Sequence, residues 1–224
     1  MRRTVVICAL AAVLFVGACG RPVETPLMQA AARGDVAELE VLVRAGAPVD
    51  EREPRGHTAL IAAARSGRTA SISALVRLGA DPDLRGGVND WTPLMHAIHK
   101  AQRRSVAALL DAGADPNATV GRGHTALMMA AGYGDAATVR LLLAHGADPR
   151  AAGPDGSSAL AAAVSGVPDI DKFTLGHCQT ETVQALLDAA PDLRLSDAGH
   201  GRWARRLAGW RHCQDVVRAL EARR

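Results

Sequence analysis

The chain has 224 residues, with 26 lysines and arginines against 23 aspartates and glutamates, a formal net charge of +3 and only 3% aromatic residues. So small an excess of positive charge supplies no basic surface of the kind that nucleic acid requires. Removal of residues 1–18, argued next, takes away Arg2 and Arg3 and leaves 24 basic side chains against 23 acidic ones.

Arg2 and Arg3 precede an apolar run from Val5 to Val16, which closes on Val16-Gly17-Ala18-Cys19. Charged, apolar and small-residue regions in that order make a secretory signal. The run is shorter than the roughly 20 apolar residues that span a bilayer. Its end resembles a bacterial lipoprotein box, in which an aliphatic and two small residues precede the cysteine that becomes the lipidated N-terminus. The resemblance implies a signal peptide over 1–18, lipid attachment at Cys19, a bilayer as the anchor's partner and a periplasmic location. Gly20, where an aspartate is absent, implies by similarity to Gram-negative lipoproteins the outer membrane as destination. Residues 19–24 then form a short linker.

From Thr25 onward the chain repeats itself. Threonine-x-leucine occurs at Thr25–Leu27, Thr58–Leu60, Thr92–Leu94 and Thr125–Leu127, with Ser158–Leu160 as a worn fifth copy, and the leucines lie 33, 34, 33 and 33 residues apart. A fixed period of this size predicts a stacked array whose single units cannot bury their apolar faces alone. The threonines suit helix N-caps, Pro26 and Pro93 suit the first helical position, and Gly46, Gly79, Gly113 and Gly146 suit the left-handed residue that ends a helix. Two short apolar runs per unit, such as Leu60–Ala64 and Ile72–Val76, predict two antiparallel helices separated at Ser66-Gly67. Ala62, Ala63 and Ala64 predict close packing of the inner helices. Ala101 stands where the other units have the inter-helix glycine, so a different turn is expected there.

The copy from Gly123 through Thr125-Ala126-Leu127 to Gly146-Ala147-Asp148-Pro149 resembles an ankyrin repeat, and Thr92-Pro93-Leu94-Met95-His96-Ala97 carries the family's opening most fully, with Met95 at the family's usual histidine position. The resemblance implies an all-α solenoid of helix-turn-helix repeats with projecting hairpin loops. Repeats one to five are expected over 25–193, with an insertion of 11 residues within about 166–180 of the fifth, where Phe173 and Leu175 offer a second contact. Residues 194–224 read as a degenerate capping repeat with an arginine-rich outer face. The polar, glycine-punctuated segments 50–57 and 117–124 suit the hairpins.

After processing, Cys178 and Cys213 remain, each inside a His-Cys-Gln triplet and 35 residues apart. Positions one repeat apart stack as neighbours, and an oxidising compartment favours a disulfide between them. Zinc binding by His177, Cys178, His212 and Cys213, which would make a metal-handling protein, and two free thiols remain open alternatives.

No phosphate loop, nucleophile elbow or metal-binding histidine pair on one helix is present, so no catalytic residue, cofactor site or resident metal is assigned. The Gly-His-Thr at 56–58 and 123–125 recurs at one repeat position, which marks a structural role. The resemblance implies binding through hairpin tips and the exposed side of the inner helices. Matched repeat by repeat, those positions are Arg55, His57, Arg65, Ser66, Asn89, Trp91, His99, Lys100, Arg122, His124 and Tyr133. Their basic and aromatic character suits a protein partner with an acidic surface, met by a chain that is monomeric by itself. Scaffolding, stabilising or inhibiting that partner, including immunity against an envelope toxin, are the roles this implies.

Overall fold

A computed structural model describes residues 24–165 and 179–195, together with residues 202 and 206. Cys19, His177, Cys178, His212, Cys213, Phe173 and Leu175 lie outside the described residues, as do most of the insertion and of the capping repeat.

Among the described residues, ten helices follow one another in pairs: α1 (Pro26–Arg33) and α2 (Val36–Arg44), α3 (Ala59–Arg65) and α4 (Thr69–Arg77), α5 (Pro93–His99) and α6 (Arg103–Asp111), α7 (Ala126–Gly132) and α8 (Ala136–Ala144), α9 (Ala159–Ser165) and α10 (Thr180–Ala189). The odd-numbered inner helices stack on one another, as do the even-numbered outer ones. Among the described residues there is no strand, only the isolated bridges Gly86–Trp91, Val120–His124 and Ala152–Ser158 that close three hairpins. No described helix is long and apolar enough to cross a membrane.

Each inner helix begins at the repeated hydroxyl. Thr25, Thr58, Thr92, Thr125 and Ser158 each accept from the backbone N–H three residues on, at 3.1–3.3 Å, which satisfies one of the orphan donors and contributes about 1 kcal/mol per helix. The repeated leucines Leu27, Leu60, Leu94, Leu127 and Leu160 are all buried in one continuous core. Each such side chain contributes roughly 1.5–3 kcal/mol relative to exposure. Fully buried alanines (Ala30, Ala31, Ala63, Ala64, Ala97, Ala130, Ala131 and Ala163) let the inner helices approach closely, while Ile72, Leu75, Leu109 and Leu142 fill the layer beneath. Ala62, by contrast, is only partly buried.

Repeat three does not turn differently. Ala101 takes φ +55°, the same left-handed state as Gly67 at +73° and Gly134 at +71°. Stacking between equivalent helices fixes the turn, and the alanine accepts the strain that glycine avoids.

The turns that follow the outer helices are tied to one another. The Asp50 carboxylate accepts from the Asp81 N–H at 3.2 Å, Asp83 accepts from Asp115 N–H at 3.0 Å, and Asn117 Oδ1 accepts from Asp148 N–H at 2.7 Å. Burial first, then the nearby charges of Asp115 and Asp81, push the Asp83 carboxyl up despite the backbone N–H it accepts; Asp50 is raised in the same way beside Asp81.

A candidate protein-binding face

The hairpins and the inner helices meet along one edge, where side chains from repeats two to four form a ladder. It starts in the first hairpin. Glu53 is 4% exposed, and its Oε1 accepts from the His57 backbone N–H at 3.1 Å and pairs with His57 Nδ1 at 2.9 Å. Burial works to raise the Glu53 carboxyl, but the N–H groups of Arg55 and His57 and the His57 ring outweigh it and hold it below its ordinary value. A buried carboxylate thereby fixes the orientation of the imidazole.

The His57 ring sits 5.4 Å from that of His96, the next rung, contributed by α5. His96 is 3% exposed. Burial, joined by the charges of Arg65, His57 and His99, lowers it to about 4 despite the opposing Gly86 carbonyl. The ring is therefore neutral near pH 7, and its neighbours define the tautomer: Nε2–H donates to Gly86 O at 3.1 Å, and Nδ1 accepts from Arg65 Nη1 at 3.2 Å. One residue of α5 thus ties the second hairpin to the C-terminal end of α3. Gly87, at φ +79°, lies so close that a Cβ there would stand 2.9 Å from His57 Nε2 and 3.2 Å from His96 Cε1.

Beyond His96 the ladder continues through Trp91, whose ring is 5.6 Å from His96 and 5.1 Å from His99, and then to Tyr133, whose hydroxyl is 2.8 Å from His99 Nδ1. Trp91 is half-buried against these rings, and Asp90 before it is held at φ +52° in the hairpin. Offset and edge-on ring contacts of this kind contribute about 0.5–1.5 kcal/mol each beyond the area they bury.

Of the positions inferred from the sequence, His57, Arg65, Trp91, His99 and Tyr133 are brought together. Arg55, Ser66, Asn89, Lys100, Arg122 and His124 are exposed around them, and no side-chain hydrogen bond or ion pair of theirs falls among the described residues. Two members were missed, Glu53 and His96. Their signal was spacing: Glu53 stands four residues before His57, and His96 three before His99, on the face that Arg65 reaches from one repeat earlier.

The ladder is poor in reactive chemistry. Both His96 nitrogens are committed, His57 is held by Glu53, and among the described residues no group of three or more His, Cys, Asp or Glu is placed to hold a metal ion.

The family profile described as "Ankyrin repeats (3 copies)" matches residues 27–120 and 109–197. Among solved structures, the chain is similar to an ankyrin repeat domain from Acinetobacter baumannii AYE, with 26% identity, a TM-score of 0.73, and coverage of 88% of this chain and 97% of that one. No curated protein matches. Repeated caps, paired helices, tied turns and family profile agree: this chain belongs to the ankyrin-repeat family.

Proposed function

We propose that this chain is a non-catalytic recognition module, anchored by lipid on Cys19 in the periplasm, that binds an acidic-surfaced protein through the face spanning repeats two to four. Ankyrin repeats generally serve to bind other proteins. The observation that carries the reading is the ladder itself: Arg65, Trp91, His99 and Tyr133 lie within one connected set of contacts, and Arg55, Lys100 and Arg122 of the same repeats are exposed. Arginine and aromatic side chains are the usual anchors of interfaces. A six-residue linker at no more than ~3.6 Å per residue holds the array within roughly 25 Å of the bilayer, so the partner stands beside the membrane. There the chain scaffolds or inhibits that partner.

Capture of a partner from solubilised membranes, followed by calorimetry on variants, tests this. Trp91→Ala is expected to weaken binding by more than ~1 kcal/mol, and Lys100→Glu to slow association and reduce its salt dependence. Two folded variants that bind like the wild type would place the contact elsewhere. Mass spectrometry of the native protein is expected to find lipid on Cys19, and an unmodified N-terminus at another residue would refute the anchor. A disulfide between Cys178 and Cys213, closing a loop of about 35 residues, would contribute on the order of 3–4 kcal/mol; complete thiol labelling without reductant would exclude it.

A further inference from the structure

The Arg65 guanidinium is half-buried at the end of α3, and among the described residues its one side-chain hydrogen bond goes to His96 Nδ1. That acceptor is neutral, with its second nitrogen bonded to Gly86 O, so it orients the guanidinium without compensating its charge. Burial alone acts on Arg65, lowering its pKa, and no carboxylate among the described residues exerts an opposing pull. Five other arginines have carboxylate partners: Arg33 with Glu38, Arg44 and Arg77 with Glu40, Arg103 with Asp135, Arg150 with Asp192. Arg55 and Arg122 have none among the described residues but are exposed to water, whereas Arg65 is half-buried. Arg65 is set up differently.

A guanidinium has five N–H donors in a planar fork that matches a carboxylate bidentately. Holding it partly out of water without a counter-charge is costly, and an arriving anion recovers that cost. The first and second hairpins carry carboxylates at Glu53 and Asp90. Glu53 is buried, with Oε1 on the His57 N–H and Nδ1 and Oε2 without a partner among the described residues, and it stands two contacts away from Arg65, through His57 and His96. His99 and Tyr133 face each other at 2.8 Å, exposed Lys100 adds a positive charge, and the one exposed carboxylate in the second hairpin is Asp90 at its tip. Across His96 from this cation is one large apolar side chain, and a second is exposed in the same hairpin. Trp91 packs on His96, the residue that Arg65 bonds, and Val88, 89% exposed, projects from the same hairpin.

We infer that Arg65 is the receptor for one carboxylate side chain of the protein partner, with His96 as its positioning residue and Trp91 and Val88 seating an adjacent apolar side chain. The recognised element is an aspartate or glutamate directly beside an aromatic or large aliphatic residue. This rests on the partner-binding reading above and narrows it to one contact.

The test uses the full-length chain, with selectively labelled arginine and tryptophan followed by NMR. Three probes are titrated: acetyl-Ala-Phe-Glu-Ala-amide, the same peptide with Gln for Glu, and the same with Ala for Phe. Millimolar affinity is within reach of such short ligands, so titration extends to about 5 mM. The glutamate peptide is expected to move the Arg65 Nε–H and Trp91 indole resonances and to bind at least tenfold tighter than its glutamine counterpart. Arg65→Gln is expected to abolish that preference, and Arg65→Lys to retain charge but lose at least fivefold. In His96→Asn, kept folded as judged by circular dichroism, the preference for glutamate is expected to shrink while the apolar contribution of phenylalanine persists. Equal binding of the Glu and Gln peptides, unchanged binding by Arg65→Gln, or no binding of any peptide overturns the inference. So does inorganic phosphate at equal ionic strength displacing the peptide at lower concentration than acetate, which would make the site a phosphate receptor. Failure of the broader reading looks different: a captured natural partner would then be indifferent to Trp91→Ala as well as to Arg65→Gln.

Discussion

At the scale of single residues, Ala101 and His96 show how the array constrains what its sequence leaves loose. Ala101 is exposed and sits at φ +55° where its counterparts are glycines. A non-glycine residue pays roughly 1–2 kcal/mol in that region, and glycine returns part of the gain through its more flexible unfolded state. Ala101→Gly is therefore expected to stabilise the protein by about 0.5–1 kcal/mol, read as a higher urea midpoint with an unchanged slope. A lower midpoint would show that the turn is not strained. The exception at Ala101 was visible in the sequence, but its consequence was read the wrong way, because a sequence comparison sees a missing glycine and not the stacked helices that force the conformation. His96 was overlooked for a related reason. A histidine in an apolar helix reads as core until the hairpin of its own repeat and an arginine of the preceding one are folded against it.

At the scale of helices, the five inner starts were legible because a single hydroxyl does the same job each time. The outer helices were less legible, since their N-caps vary. Asp35 and Asp135 cap α2 and α8 through their carboxylates, whereas Arg68, Gln102 and Gln179 make no side-chain cap bond to α4, α6 and α10. Three residues further on, the effect recurs in the core. Thr138 Oγ1 donates to Asp135 at 2.7 Å, while the buried hydroxyls of Ser71, Ser105 and Thr182 have no partner among the described residues. One residue therefore serves two orphans, the N–H of the first turn and the buried hydroxyl. Gln102→Asp supplies both and is expected to add about 1 kcal/mol. Ser105→Ala in the same background should then cost more than it does in the wild type, a coupling that a double-mutant cycle measures directly. Independent effects of the two changes would refute the shared role.

At the scale of the whole molecule, the period of 33 or 34 residues fixed the architecture in advance, since only a stack buries such repeats. The surface pattern was less legible. Eleven positions followed from matching repeats, yet their contacts depend on which hairpin meets which helix, and that relation crosses repeats. The tied turns belong to the same scale. Asp83 has a raised carboxyl, so the folded state resists its ionisation. Its contribution to stability is full below the unfolded pKa and is lost as pH rises through the folded one. Asn117, one repeat later, makes the equivalent bond without charge. Asp83→Asn is thus expected to stabilise the protein at pH 7 by about 0.3 kcal/mol, the size of a relieved like-charge contact. That advantage should fade as pH falls below about 4, where aspartates are protonated. Urea titrations at both pH values check it, and a benefit that persists undiminished in acid would contradict the charge argument.

The same row of turns has a mechanical meaning. Along it, successive repeats are tied by hydrogen bonds of 2.7–3.2 Å, and on the binding edge Arg65–His96 at 3.2 Å and His99–Tyr133 at 2.8 Å cross from repeat two to three and from three to four, beside ring contacts with centroids 5.1–6.1 Å apart. Hydrogen bonds lose their strength steeply with stretching and misalignment, while offset ring contacts slide over a range of separations. Repeats two to four are held by such hydrogen bonds in the turns and again in the ladder, and two separate ties at one junction resist hinging there. A partner therefore meets a face whose curvature is set before it arrives, and its binding costs little in ordering the repeats.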